Sequence, residues 1–83
     1  MKSEIIKDMK NALMGNNNSI MVSVSTHCGD TYDIVYNESC DTVEVWVVDG
    51  PGQTPYNPST ICISAEYFTE DELTRILEAI KRV

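Results

Sequence analysis

The sequence predicts a single α+β domain, in which a four-stranded antiparallel sheet is covered on one face by two terminal helices. Two patterns support this prediction: apolar residues recur at helical spacing near both ends of the chain, and they alternate with polar residues in four short segments between. The chain has 83 residues, which is the length of one small domain. We therefore expect the element order α-β-β-β-β-α over residues 1–83.

The first helix is predicted from Glu4 to about Met14. Its apolar stripe consists of Ile5, Ile6, Met9, Ala12 and Leu13. We expect Ser3 to cap the start of this helix, because a serine hydroxyl can accept a free N–H of the first turn. Gly15 and the three asparagines after it predict the end of the helix, since glycine and asparagine tolerate the left-handed conformation found there.

Two strands are predicted next, and each shows the period-two alternation of a half-buried strand. The first covers residues 19–26, and its inner face carries Ile20, Val22 and Val24. Cys28-Gly29-Asp30 is expected to turn the chain into the second strand. The inner face of that strand carries Tyr32, Ile34 and Tyr36. The segment from Asn37 to Asp41 then turns the chain again.

The third and fourth strands are separated by a segment rich in proline. The third runs from Thr42 to Val48, with Val43, Val45 and Val47 facing the core and Glu44, Trp46 and Val48 facing outward. Asp49 to Thr60 holds all three prolines of the chain and is predicted to be a loop. In the fourth strand, the inward positions are Ile61, Ile63 and Ala65 and the outward ones are Cys62, Ser64 and Glu66.

The second helix is predicted to begin at Thr69-Glu70-Asp71-Glu72, which has the pattern of a capping box. Its buried stripe consists of Leu73, Ile76, Leu77 and Ile80. Short connections among the first three strands predict an antiparallel meander. Both helices are expected on one face, because the inner side of the sheet is too apolar to remain in water.

The charges are unevenly distributed along the chain. The net charge is −7, and there is no Lys or Arg between Asn11 and Thr74, where ten acidic residues fall. We therefore expect the sheet and its turns to be negative without local compensation. Such a surface attracts basic partners and disfavours direct binding of nucleic acid, which depends on Lys and Arg. An acidic surface can equally serve solubility alone.

Trp46 is the single tryptophan, and the alternation of its strand places it on the outer face, away from the helices. An aromatic side chain surrounded by acids is typical of a binding hot spot. Two alternatives are that the proline-rich loop covers Trp46 through Tyr56, or that a homodimer buries this face. The residues expected to contact a partner are Asp33, Glu38, Asp41, Glu44, Trp46, Tyr56 and Glu66.

The sequence favours neither a metal site nor catalysis. His27, Cys28, Cys40 and Cys62 are not spaced in the close pairs of a zinc module, so we expect three free thiols and no bound metal. His27 and Cys28 are adjacent, but on an extended backbone their side chains should diverge, and no third group is evident. We therefore predict no catalytic residue, no cofactor and no enzymatic activity.

The cellular setting is predicted from what the chain lacks. No segment approaches the roughly 18 apolar residues of a membrane span, the first residues do not resemble a signal peptide, and an odd number of cysteines is unusual in a small secreted domain. A cytoplasmic protein without membrane contact is expected.

The leading hypothesis for function is a small, acidic, non-enzymatic binding protein. It could act as an inhibitor that docks on a basic, nucleic-acid-handling protein, of the kind encoded by viruses or mobile elements. One alternative is a structural or assembly subunit that forms a homo-oligomer through the face around Trp46. Another is a small-molecule sensor or sequestering protein with a ligand held in a subunit interface near the proline-rich loop.

Overall fold

The computed structural model describes residues 1–49 and 61–83. Its elements are α1 (Lys2–Met14), β1 (Ser19–Thr26), β2 (Gly29–Asn37), β3 (Thr42–Asp49), β4 (Ile61–Ser64), a short 3₁₀ helix (Ala65–Tyr67) and α2 (Glu70–Arg82). The predicted α-β-β-β-β-α order is confirmed. Apart from Asp49 at the end of β3, the loop predicted between Asp49 and Thr60 lies outside the described residues.

The four strands form one antiparallel sheet in the order β1-β2-β3-β4, which confirms the predicted meander. The inner positions meet in register across the sheet: Ile34 of β2 pairs with Ile20 of β1 and with Val45 of β3. This register follows from the pattern of the sequence, because a slip of one residue would turn every apolar side chain to the opposite face.

Both helices pack on the inner face of the sheet and close the core. The buried apolar side chains are Met9, Leu13, Ile20, Val22, Tyr32, Ile34, Tyr36, Val43, Val45, Val47, Ala65, Phe68, Leu73, Ile76, Leu77 and Ile80. Among the described residues, no helix is long and apolar enough to cross a bilayer, since α1 and α2 have 13 residues each.

Three inward positions of the sheet differ from the prediction in burial. Ile61 was expected in the core but is 49% exposed, because it is the first residue of the edge strand β4. Val24 is only half-buried, at the end of β1 where the pairing with β2 is irregular. Ile63 is also half-buried, although it packs against the core.

The chain leaves the sheet earlier than the alternation predicted. β4 ends at Ser64, and the 3₁₀ helix that follows buries Ala65 and leads to the buried Phe68. The ring of Phe68 packs edge-on against Tyr32, with 6.3 Å between ring centroids. Placing Glu66 on a strand was therefore wrong, because the chain must turn here to bury Phe68 and reach α2.

Both ends of α1 differ in detail from the prediction. The helix begins at Lys2 with Met1 at the N-cap position, so Ser3 lies inside the helix and does not cap it. Gly15 has an ordinary right-handed φ of −76°, whereas Asn17 and Asn18 take left-handed φ values of 59° and 65°. The asparagines, and not the glycine, therefore turn the chain into β1.

The start of α2 confirms the predicted capping box. The Thr69 hydroxyl accepts the backbone N–H of Glu72 at 3.2 Å, and the Glu72 carboxylate accepts the backbone N–H of Thr69 at 3.1 Å. This reciprocal pair satisfies two of the N–H groups that a helix start leaves free. The predicted apolar stripe of α2 is buried in full.

Candidate functional site: the outer face of the sheet

A row of four side chains crosses the face of the sheet opposite the helices. Met21 of β1 pairs with Asp33 of β2, Asp33 pairs with Trp46 of β3, and Trp46 pairs with Cys62 of β4. We call this row, together with Glu44, the outer-face patch. Met21 is 58% exposed, and Trp46 is half-buried. The structure confirms the outward placement of Asp33 and Trp46.

Glu44 lies two positions before Trp46 on β3 and so shares its face of the sheet. Its direct partners across the sheet are Val35 and Ser64. Partial desolvation of the thiol, and after it the negative charge of Glu44, raises the pKa of Cys62. Asp33, on the neighbouring strand, accepts a hydrogen bond from the Ser19 hydroxyl at 3.0 Å. The patch therefore places two carboxylates around one aromatic ring.

Glu38 and Asp41 occupy the turn between β2 and β3, at one end of the sheet. Glu38 is exposed and accepts a hydrogen bond from the side-chain amide of Asn18 at 2.7 Å. Both acids lie beyond the last pair of β2 and β3, Asn37 with Thr42, and are therefore not part of the outer-face patch.

Asp41 has a structural environment that the charge pattern did not reveal. Its carboxylate lies 2.6 Å from Lys10 Nζ of α1 and accepts the Tyr36 hydroxyl at 2.6 Å. These two contacts hold the pKa of Asp41 below its ordinary value. The prediction of a field without local compensation was wrong at this position, because packing of α1 against the sheet brings a lysine to the turn.

Glu66, another predicted contact residue, is not part of the patch. Glu66 lies in the 3₁₀ helix and, with Asp41 and Ile6 of α1, lines a depression beside that helix. The backbone carbonyl of Glu66 accepts the Lys2 ammonium group at 2.8 Å. Tyr56 lies outside the described residues, as does the segment expected to carry a small-molecule site.

A second cluster lies at the tip of the β1–β2 hairpin. The connection is formed by His27 and Cys28, one residue earlier than predicted, because β2 already starts at Gly29. Cys28 Sγ lies 3.2 Å from His27 Nε2, and His27 Nδ1 contacts the Glu72 carboxylate. The expected divergence of the two side chains was wrong, since they occupy a tight turn and not an extended strand.

Glu72 is the third member of this cluster, and the sequence did not reveal it. It is 5% exposed and accepts hydrogen bonds from the His27 backbone N–H at 3.3 Å and from the Thr69 hydroxyl at 3.0 Å. Burial raises the pKa of Glu72, but the hydrogen bonds from His27 and Thr69 outweigh it and lower this pKa to about 2. Because Glu72 and His27 are 45 positions apart, no local motif could have joined them.

Within residues 1–49 and 61–83, no group of three or more His, Cys, Asp or Glu side chains is placed to hold a metal ion. Cys28, Cys40 and Cys62 are free thiols, with Cys28 half-buried and the other two exposed.

Comparison with known proteins found no matching family model, no similar curated protein and no similar solved structure. The function of this chain is therefore inferred from its own geometry.

Proposed function

We propose that this chain is a non-enzymatic binding protein whose outer-face patch docks on a protein with a basic surface. The observation that supports the proposal is the cross-strand pair of Asp33 and Trp46, with Glu44 on the same face. An aromatic side chain contributes apolar burial at the centre of an interface, and surrounding carboxylates select a partner of opposite charge.

The distribution of cations also supports this proposal. All six Lys and Arg residues belong to α1 or α2, which pack on the inner face of the sheet. The outer face therefore has no lysine or arginine of its own to neutralise Asp33 and Glu44. A basic partner would supply that neutralisation, which favours association and makes it sensitive to salt.

The partner class follows from the same charges. A protein that handles nucleic acid presents a groove of Lys and Arg for phosphate groups, and an acidic face can occupy such a groove. In this proposal the chain is a small inhibitor of viral or mobile-element type that acts in the cytoplasm. It would compete with nucleic acid and would not bind nucleic acid directly.

A second candidate function, homo-oligomerisation through the same face, is favoured by exposed apolar groups. Met21 and Val48 are 58% and 44% exposed, and both lie on the face that carries Trp46. Two copies would, however, bring Asp33 and Glu44 of each chain together, and like charges at an interface oppose association. We therefore place a basic partner first.

Affinity capture from host lysate tests the proposal with four baits: the wild type, Glu44→Lys, Trp46→Ala and the control Glu78→Lys. Glu78 is an exposed acid on α2, so its replacement makes the same change of charge on the helical side of the molecule. A basic protein retained by the wild type and by Glu78→Lys, but lost with Glu44→Lys, is the expected result. Size-exclusion mass of the free protein tests the homo-oligomer.

The kinetics of the captured pair separate the two contributions. Glu44→Lys should mainly slow association and weaken its salt dependence, whereas Trp46→Ala should mainly raise the dissociation rate. If the double variant Glu44→Lys, Trp46→Ala kept its affinity with its circular dichroism unchanged, the outer-face patch would not be the binding site.

A further inference from the structure

At the tip of the β1–β2 hairpin, an imidazole contacts a thiol through one ring nitrogen and a carboxylate through the other. Cys28 Sγ lies 3.2 Å from Nε2 of His27, and the opposite ring nitrogen, Nδ1, contacts a carboxylate oxygen of Glu72. The imidazole ring also packs beside Phe68, with 6.0 Å between ring centroids. The hairpin turn thus carries the thiol and the imidazole, α2 carries the carboxylate, and the buried Phe68 packs beside the imidazole.

The contact with Glu72 selects one tautomer of the imidazole. A carboxylate can only accept a hydrogen bond, so Nδ1 of His27 carries the proton that it donates to Glu72. In the neutral ring, Nε2 then keeps its lone pair, and it faces the Cys28 thiol. This is the order nucleophile, base and orienting carboxylate that activates a thiol or hydroxyl for attack on a carbonyl.

We propose that Cys28 is an acyl-acceptor site for small activated esters and thioesters, with His27 as its general base and Glu72 as a positioning residue. The site is separate from the outer-face patch, so it adds a site of stoichiometric acylation to the proposed binding function and does not depend on that function. His27 is exposed over 65% of its side chain and Cys28 is half-buried, so the site lies at the surface of the molecule.

The acyl-transfer step balances without a further reactant. Cys28 Sγ attacks the carbonyl carbon of the donor, its proton passes to His27 Nε2, and the carbonyl electron pair moves onto oxygen. The tetrahedral intermediate collapses, the bond to the leaving group breaks, and the leaving alcohol or thiol takes the proton from Nε2. The products are S-acyl Cys28, the free leaving group and the regenerated imidazole.

The resting state of the thiol agrees with this order of events. Burial, and then the negative charge of Glu72, raises the pKa of the Cys28 thiol, so the sulfur remains protonated until His27 takes its proton. Reaction therefore depends on the base beside it. The other two cysteines are exposed and serve as internal references within the same molecule.

Acetylation of the full chain by p-nitrophenyl acetate tests the proposal, with peptide mass mapping to follow each cysteine over time. We expect Cys28 to be acetylated on the order of 100-fold faster than Cys40 and Cys62, as a positioned general base provides. His27→Gln should lower the Cys28 rate by a similar factor and leave Cys40 unchanged. Wild-type Cys28 reacting no faster than Cys40 and Cys62 would overturn the proposal, and this comparison does not require the variant to fold.

The positioning role of Glu72 is tested by a measurement that a purely structural role would not change. His27 is the only histidine, so ¹⁵N NMR reports its tautomer without ambiguity. At about pH 8.5 the wild type should carry its proton on Nδ1. In Glu72→Gln the side-chain amide can donate to Nδ1 and shift the proton to Nε2, which should slow Cys28 acetylation. If the tautomer and the Cys28 rate both remained unchanged, the positioning role would be wrong.

Discussion

Glu72, in the first turn of α2, accepts the backbone N–H of His27 at 3.3 Å, although 45 positions separate them in the chain. The same carboxylate closes the capping box with Thr69 and contacts the His27 ring. One buried side chain thus joins the start of α2 to the tip of the β1–β2 hairpin. These partners stabilise the ionised carboxylate, so the charge of Glu72 contributes to the stability of the fold.

The free energy of unfolding should fall in acid as Glu72 becomes protonated. The folded-state pKa is lowered from the ordinary 4.5 to about 2, so the stabilisation is present above 4.5 and is lost as the pH falls toward 2. A shift of this size corresponds to at most about 3 kcal/mol. Denaturant unfolding of the wild type and of Glu72→Gln, measured across this range, should show a larger loss in the wild type than in Glu72→Gln.

The matched control for this prediction is Glu78→Gln, since Glu78 is an exposed carboxylate of the same helix. Asp41 also has a lowered pKa, caused by Lys10 and Tyr36, and it contributes to acid sensitivity in every variant. The difference between Glu72→Gln and Glu78→Gln therefore isolates Glu72. Parallel pH profiles for these two variants would contradict the prediction.

Leu77→Ala should destabilise the fold by roughly 2–5 kcal/mol, because it removes a side chain of the α2 stripe that covers the sheet. Leu77 is 8% exposed and belongs to the core cluster. For a domain of this size the loss is a large share of the total stability. Thermal and denaturant unfolding measure it, with Glu78→Ala on the exposed side of α2 as the reference, which should change stability by less than about 0.5 kcal/mol.

Cys62 should become more reactive toward iodoacetamide in Glu44→Gln. Its pKa is raised by partial desolvation and then by the charge of Glu44, so removal of that charge increases the thiolate fraction. We expect a rate increase of a few-fold at mildly alkaline pH, while Cys40 in the β2–β3 turn is unaffected. Mass mapping of both peptides checks this. An unchanged ratio of the two rates would argue against the proximity of Glu44 and Cys62.

Asp41 should tolerate asparagine better than valine. Its φ of 54° is left-handed, a conformation that asparagine accepts and a β-branched residue resists. Both variants lose the ion pair with Lys10, but only asparagine keeps an oxygen that can accept the Tyr36 hydroxyl. A further loss with valine therefore combines this hydrogen bond with the backbone conformation. The melting temperatures should fall in the order wild type, Asp41→Asn, Asp41→Val. Equal melting of the two variants would show that the backbone conformation is not limiting.

Much of the fold could be predicted, because the signals are local and redundant. Alternation placed Tyr32, Ile34 and Tyr36 on the inner face, where all three are buried. The errors lie at the ends of elements. Ser3 is a residue type that caps helices, but Met1 occupies the N-cap position of α1. Gly15 is a residue type that adopts left-handed backbone conformations, but Asn17 and Asn18 adopt them here.

For the candidate sites, too, the predictions from local alternation were right within a strand and wrong at its end. Trp46 and Asp33 were assigned to one face from alternation alone, and their pairing confirms that placement. Glu66 was assigned by extending the same alternation, which failed where burial of Phe68 ends the strand. Binding by these residues remains a proposal, since placement on a face does not identify what the face contacts.

The sequence by itself determined the order of elements, the inner face of the sheet and the capping of α2, because periodicity and capping act between residues only a few positions apart. Only the tertiary structure decided which distant side chains meet. Packing of α1 brings Lys10 to Asp41, and docking of α2 brings Glu72 to His27 beside Cys28. Such contacts depend on how the helices lie across the sheet, which no short segment of the chain encodes.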